Sequence, residues 1–279
     1  MSSSALFPPL PVSAPAALPA SAPTSVALDG SRWRNDALAY VRRLQRVHGA
    51  KLTVVQINGL SAFFGRVAAE SWGPKIKDLR LLGYGTSGAC LQSAIDLDWA
   101  GAWASSEPSY HSGYATVGAG DSIVTAGDFA NLAAAGLNSV SLGAFFAGES
   151  IARQGSYYVK ASDGAQHFFL YQAVGEIYSR LSGGATLGGP SEIRDGVWLN
   201  SKSASGTQYL YRRTAAGLTT LSGGSSTGLA DAAVEYFSGD SAGNFSLVGI
   251  HSGITDGEAD AATEALRNLA LSMGHSALP

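Results

Sequence analysis

The sequence predicts a mainly β protein: an antiparallel sandwich or barrel, preceded by a helical hairpin and closed by a C-terminal helix. Three observations lead there. Between Ile95 and Ile250, short apolar runs recur at intervals of roughly 10 to 15 residues with Gly, Ser and Asn clusters between them, the spacing of strands joined by tight turns. No alternation of strand and helix runs through that region, which argues against a doubly wound parallel sheet. Before it and after it, the apolar period changes to that of a helix.

The elements follow in order. Residues 1–30 are a Pro/Ala/Ser segment in which Pro11, Pro15, Pro19 and Pro23 recur every four residues. Each proline fixes φ and removes a donor, so the segment is extended rather than helical. It is either a disordered tail or an attachment arm with Leu6, Phe7 and Leu10 as apolar anchors. Residues 32–48 read as an amphipathic helix with Trp33, Ala37, Tyr40, Val41, Leu44 and Val47 in one stripe. Ser31 or Asp29 would cap it and Gly49 would stop it. Thr53 and Gln56 have capping-box spacing for a second helix that ends near Trp72, with Gly59 and Gly65 inside it marking close packing or a marginal helix. Lys77–Tyr84 reads as a strand. Further strands are predicted at 139–146, 156–160, 166–171, 176–181, 196–201, 208–213 and 233–238. Phe245–Ile250 is a strand buried on at least one face. Thr255 and Glu258 then form a second capping box, opening a helix that runs to Gly274. There is no clear internal repeat.

Composition bounds the function. Hydrophobic residues are 46% of the 279, and charged residues only 14%, against about 25% in an ordinary globular chain. Glycine is abundant, at 35 residues. Such a surface fits a protein assembled into a larger body, so a homo-oligomer is expected. The net charge of −3 gives no electrostatic case for nucleic acid, despite Arg42, Arg43 and Arg46 on the first helix, nor for an anionic membrane. No apolar run is long enough for a transmembrane helix, and no secretory leader is evident. A single cysteine, Cys90, allows neither an intramolecular disulfide nor a thiolate zinc cluster, and reads as a small buried apolar residue.

The order of parts resembles the concanavalin A-like jelly-roll domains in structural proteins of tailed bacteriophages, such as tail fibres, head fibres and decoration proteins. The resemblance rests on the Trp33 helix, the lead strand LRLLGYGTSGACLQSAIDL, the hairpin GVWLNSKSASGTQYLYRR with its Leu210-Tyr211 pair, and the closing strand, turn and helix with Thr255, Asp256 and Glu258 at the helix start. It covers residues 31–275 and is weakest from Trp99 to Asp121. It implies an attachment arm over 1–30, a helical hairpin and lead strand over 31–90, and a jelly-roll sandwich with its closing helix over 91–279. It implies a virion exterior location, other virion proteins as partners through residues 1–30, and a host surface glycan as a further partner.

Catalytic signatures are missing. Glycosidases need two carboxylates on one strand face. Asp96 with Asp98 and Glu192 with Asp195 are the nearest pairs, and both read more simply as surface or turn carboxylates. Gly85-Thr86-Ser87-Gly88-Ala89 lacks the second glycine of a nucleophile elbow. His48, His111, His167, His251 and His275 are scattered without metal-ligand spacing, and Asp240 with Asn244 offers too few oxygens for calcium. No cofactor, metal or catalytic residue is expected. Trp99, Trp103, Tyr110 and Tyr114, with His111, are the candidates for stacking on a sugar, although core or subunit interface is the plainer reading of such aromatics. The expected function is a non-enzymatic virion structural protein displaying a lectin-like sandwich, with a carbohydrate-binding adhesion module as the alternative and a glycan hydrolase less favoured.

Overall fold

The computed structural model describes residues 33–104, 106–118, 120–125, 132–133, 136–138, 141–150, 156–164, 166–173, 176–181, 186–188, 195–202, 206–224, 228–239, 242–276 and 278. The proposed arm, residues 1–30, lies outside the described residues. The chain opens with α1 (Asn35–His48) and α2 (Val54–Ala69), then β1 (Ile76–Leu81) and the short α3 (Ser87–Leu91). Four short strands follow, β2 (Gly101–Trp103), β3 (Ser109–Tyr110), β4 (Ala115–Val117) and β5 (Ile123–Thr125). The longer strands are β6 (Leu142–Ser150), β7 (Ser156–Ser162), β8 (His167–Ala173) and β9 (Glu176–Leu181), with the two-residue β10 (Leu187–Gly188) after them. The chain closes with β11 (Asp195–Lys202), β12 (Gln208–Thr214), β13 (Gly217–Gly223), β14 (Glu235–Gly239), β15 (Gly243–His251) and α4 (Asp256–Met273). None of the described helices is long and apolar enough to cross a membrane.

These strands form the expected antiparallel sandwich. One sheet runs β13-β12-β11-β6-β15-β4-β3, with β1 pairing the far half of β15. The other runs β10-β9-β8-β7-β14-β5-β2. The central strands β11, β6 and β15 of the first sheet are buried on both faces, because the helices pack on the side turned away from the second sheet. Strand alternation separates the two cores. Phe145, Ala147, Val197, Leu199 and Leu247 pack with the helices. Ala144, Phe146, Trp198, Val248 and Ile250 pack with Tyr158, Phe168, Leu170, Ile177 and Tyr236 of the second sheet.

β15 departs from simple alternation. Its register with β6 shifts between Phe245 and Leu247. The extra residue turns Phe245 toward the second sheet and Leu247 toward the helices, as a β-bulge does. Ser246, at the bulge, is buried and donates to the Gly113 carbonyl at 2.7 Å. Three residues later, Gly249 leaves room for the Phe145 ring and the Asp78 carbonyl, both within 2.4 Å of where a Cβ would stand.

Several boundaries differ from the sequence reading. α1 begins at Asn35, and Arg34 is its N-cap without a side-chain cap bond; Ser31 and Asp29 lie outside the described residues. α2 ends at Ala69, three residues short of Trp72, and its Thr53–Gln56 capping box is formed. The strand expected through Tyr84 stops at Leu81, because residues 82–84 tighten into a 3₁₀ turn and Gly85 takes φ +73°. The segment after it is helical: Thr86 caps α3 by accepting from the Ala89 amide at 3.3 Å. β13 was not anticipated, because Gly217–Gly223 is mostly polar and half-exposed.

Candidate functional site

Among the described residues, α1, α2 and α4 pack on the first sheet and not on the outer face of the second. The residues of that outer face are set by the same alternation. In β9, Ile177 and Leu181 point into the sandwich, so Tyr178 and Arg180 point out. In β8, Phe168 and Leu170 point in, so Phe169 and Tyr171 point out. In β7 the register against β8 shifts between Tyr157 and Val159. Tyr158 and Val159 therefore both face the core, which leaves Tyr157 and Lys160 on the outer face three residues apart.

Pairing then aligns the rings. Ala173 pairs with Glu176 at the end of the β8–β9 hairpin, which sets Tyr171 opposite Tyr178. Tyr171 is also opposite Tyr157. The three half-buried tyrosines form a row across β7, β8 and β9. Neighbouring ring centroids are 5.5 and 5.4 Å apart, with planes within 27° and 25° of parallel. Phe169 joins the row at 5.0 Å from Tyr157 and 5.7 Å from Tyr171. Cross-strand aromatic pairs of this kind stabilise a sheet by about 0.2–1 kcal/mol each. That is modest support for fold stability and does not require three of them to stay partly exposed.

Charged groups border the row. Lys160 Nζ sits 5.5 Å from the centroid of the Tyr157 ring and 3.8 Å from Glu235 on β14. Arg180 Nε is buried without a hydrogen-bond partner. Glu235 supplies a carboxylate at the edge of this face. Polar amides hold the platform from behind. Asn200 of β11 donates from Nδ2 to the Phe169 carbonyl at 2.9 Å and accepts from the Ala144 amide at 2.6 Å, bridging the two sheets. Gln208 of β12 accepts from the Leu181 amide at 3.0 Å. A tyrosine row on a braced sheet presents hydroxyls and ring edges at fixed spacing, with nearby donors. That chemistry suits reversible contact with a polyhydroxylated surface.

The residues proposed from sequence lie elsewhere. Trp99, Trp103 and Tyr110 are partly buried against the inter-sheet core, and Trp103 Nε1 donates to Ser87 Oγ at 2.9 Å. Tyr114 stacks with His111 at 4.8 Å and lies 5.2 Å from His275. Asp96 Oδ1 accepts from the Asp98 amide at 3.0 Å, so these carboxylates serve their own turn. Asp195 pairs with Arg212 at 2.6 Å, while Glu192 and Asp240 lie outside the described residues. Asn244 Oδ1 accepts from Thr116. No cluster of three metal-ligating side chains occurs among the described residues. Cys90 is fully buried, and burial pushes its thiol well above the ordinary range.

His251, the last residue of β15, is fully buried. Its Nδ1 accepts from the Ile254 amide at 3.0 Å, so its Nε2 carries the proton and donates to the Asn200 carbonyl at 2.9 Å. Burial pushes its pKa down to about 3. The sequence could have revealed the tyrosine row, since Tyr157, Tyr171 and Tyr178 all fall in predicted strands. What it lacked was the bulge at Tyr158, without which the phase of β7 is misread.

No protein-family model matches the chain, and no curated protein matches its sequence. Solved structures resemble it distantly. Domain 4 of AbnA, a GH43 extracellular arabinanase from Geobacillus stearothermophilus in complex with arabinotriose, is 10% identical, with 70% of this chain and 98% of that one covered at a TM-score of 0.47. The Ruminococcus gnavus IT-sialidase CBM40 bound to alpha2,3 sialyllactose is 13% identical, with 53% and 96% covered at 0.38. Trypanosoma rangeli sialidase is 10% identical, with 66% and 31% covered at 0.41. At these scores the likenesses carry no argument about what this chain binds.

Proposed function

We propose that the chain is a non-enzymatic saccharide-binding display module, with the tyrosine row on β7, β8 and β9 as its contact surface. The observation that carries this is the row itself: three half-buried tyrosines in register on the outer face of a sheet whose other face is core. Aromatic and hydroxyl groups at that spacing engage sugar faces and edges, with Arg180 and Lys160 as donors. A second reading concerns context. The resemblance of domain order to tailed-phage appendage proteins supports a structural role on the virion exterior, with residues 1–30 as the arm that joins a neighbouring virion protein and with self-association of the sandwich.

A glycan array probed with the full chain tests the contact surface. Binding to a saccharide subset that Tyr171→Ala abolishes, with the variant still folded by circular dichroism, is the expected result. Equal binding by both proteins, or by neither, overturns it. The virion role is checked separately: deletion of residues 1–28 removes the protein from purified particles, and undiminished incorporation contradicts the arm.

A further inference from the structure

On the helical side of the molecule, α1 and the loop around Leu97 line a shallow, open cleft of about 680 Å³ formed by Ala39, Arg42, Arg43, Gln45, Arg46 and Leu97. That volume lies within the range of small-ligand sites. Three arginines stand within little more than one helical turn. Arg34, Arg66, Arg80, Arg212 and Arg213 each pair with a carboxylate. Arg42, Arg43 and Arg46 have no such pair among the described residues. Like charges spaced this way repel by a few tenths of a kcal/mol per pair, while the C-terminal end of α1 favours cations by a similar amount. The cluster is locally distinct in a chain of net charge −3; Asp96 and Asp98 flank Leu97 on the far wall, but neither forms an ion pair with the three arginines among the described residues.

One of the three is positioned by the fold. Arg43 Nε donates to Gln92 Oε1 at 3.3 Å, and Gln92, itself buried, donates to the Leu97 carbonyl at 2.6 Å. This chain ties the cleft floor to the loop that forms its far wall. Arg42 and Arg46, four residues apart and exposed, stand as neighbours on the helix surface. A guanidinium grips a carboxylate or phosphate through two parallel N–H donors. The negative end of the α1 dipole lies nearby and opposes an anion, but half a charge does not offset three full ones. The cleft holds no aromatic side chain among its lining residues, so it lacks a platform for stacking nucleobases.

We infer that this cleft is a binding site for a small ligand bearing clustered oxyanions, carboxylate or phosphate, gripped by Arg42, Arg43 and Arg46. It is independent of the saccharide reading of the tyrosine face. Isothermal titration of the full chain with citrate and with inorganic tripolyphosphate, at 20 and 150 mM NaCl, tests it and separates the two oxyanion sources. At least one probe is expected to bind at 150 mM salt, and R42Q/R46Q is expected to weaken that binding by about tenfold or more, equivalent to about 1.4 kcal/mol. Lys51→Gln, a nearby charge outside the cleft, is the control and leaves affinity unchanged. Both substituted arginines are exposed, so the variant folds, which its urea midpoint verifies. Absence of binding by both probes, or an equal loss in the Lys51 control, overturns the proposal.

Discussion

Glu258 is the most connected side chain at the start of α4, and its removal gives a quantitative test of how the terminal helix is anchored. Its Oε2 accepts from Lys75 Nζ at 2.5 Å, from the Thr255 amide at 2.8 Å and from the Thr255 hydroxyl at 2.9 Å. Its Oε1 accepts from Ser71 Oγ at 2.6 Å. The one carboxylate thus joins α4 to the segment after α2 and to the residue before β1. Burial alone would raise its pKa, but Lys75, Ser71 and Thr255 outweigh burial and hold it at about 2, down from 4.5. The side chain is 14% exposed and Lys75 27%, so solvent screens the pair little. A depression of that size corresponds to about 3 kcal/mol. Because the folded pKa is the lower one, this stability is fully present above pH 4.5 and is lost as the pH falls toward 2. Glu258→Gln keeps an oxygen acceptor for the cap and removes the charge. Urea unfolding at pH 7 should show a loss of about 2–3 kcal/mol. The gap between the two proteins should close between pH 4.5 and pH 2.5. A gap that stays constant across that range, or one under about 1 kcal/mol at pH 7, would mean that the Glu258 charge does not anchor α4.

Three further outcomes follow from the packing and the buried charges. Gly59 of α2 lies against α4, where a Cβ would stand 2.0 Å from Ser272 Oγ; Gly59→Ala should cost about 1–3 kcal/mol through overpacking, and adding Ser272→Gly should restore most of it in the same urea assay. His251 is held neutral, so stability is expected to fall as pH drops below 6.5, and His251→Gln should flatten the curve between pH 6.5 and 4.5, a window in which the Glu258 contribution is constant. Asp78 and Arg80 form a fully buried ion pair at 2.8 Å, with the Tyr236 hydroxyl donating to Asp78 at 2.8 Å; Arg80→Met should cost about 3–5 kcal/mol by stranding the carboxylate, and D78N/R80M should recover part of that loss in urea unfolding.

The elements most legible in the sequence were those whose local cues agree with their tertiary use. The α4 start is one: Thr255 and Glu258 cap in the structure as their spacing predicts, although the Thr255 hydroxyl also donates to the carboxylate. The lead segment shows the opposite. Lys77–Tyr84 reads as one strand, yet Asp78 and Arg80 are fully buried within it, and nothing in a linear reading says that a charged pair will face the core. Gly59 was open between close packing and a marginal helix, and the approach of Ser272 decides for packing. The strands between Gly101 and Thr125 are two or three residues long, too short for alternation to declare itself. The candidate site was missed for a related reason. Trp99 and Trp103 drew attention by their size and their Gly/Ser-rich surroundings, whereas Tyr157, Tyr171 and Tyr178 sit one per strand and become a row only through pairing register. Register depends on a bulge and on turn lengths, and it gathers residues that are far apart in the chain.

The proposed saccharide contact is the tyrosine row on the outer face of β7, β8 and β9. Nuclear magnetic resonance of the full chain with ring-labelled tyrosine tests it most directly, because only 11 tyrosines contribute signals and the buried Tyr40, Tyr158, Tyr211 and Tyr236 serve as internal controls. Titration with a saccharide selected on the array should shift the Tyr157, Tyr171 and Tyr178 resonances together, with one saturation curve, and leave the buried four in place. Shifts confined to Tyr110 and Tyr114, or saturable binding that leaves the row unmoved, would contradict the account.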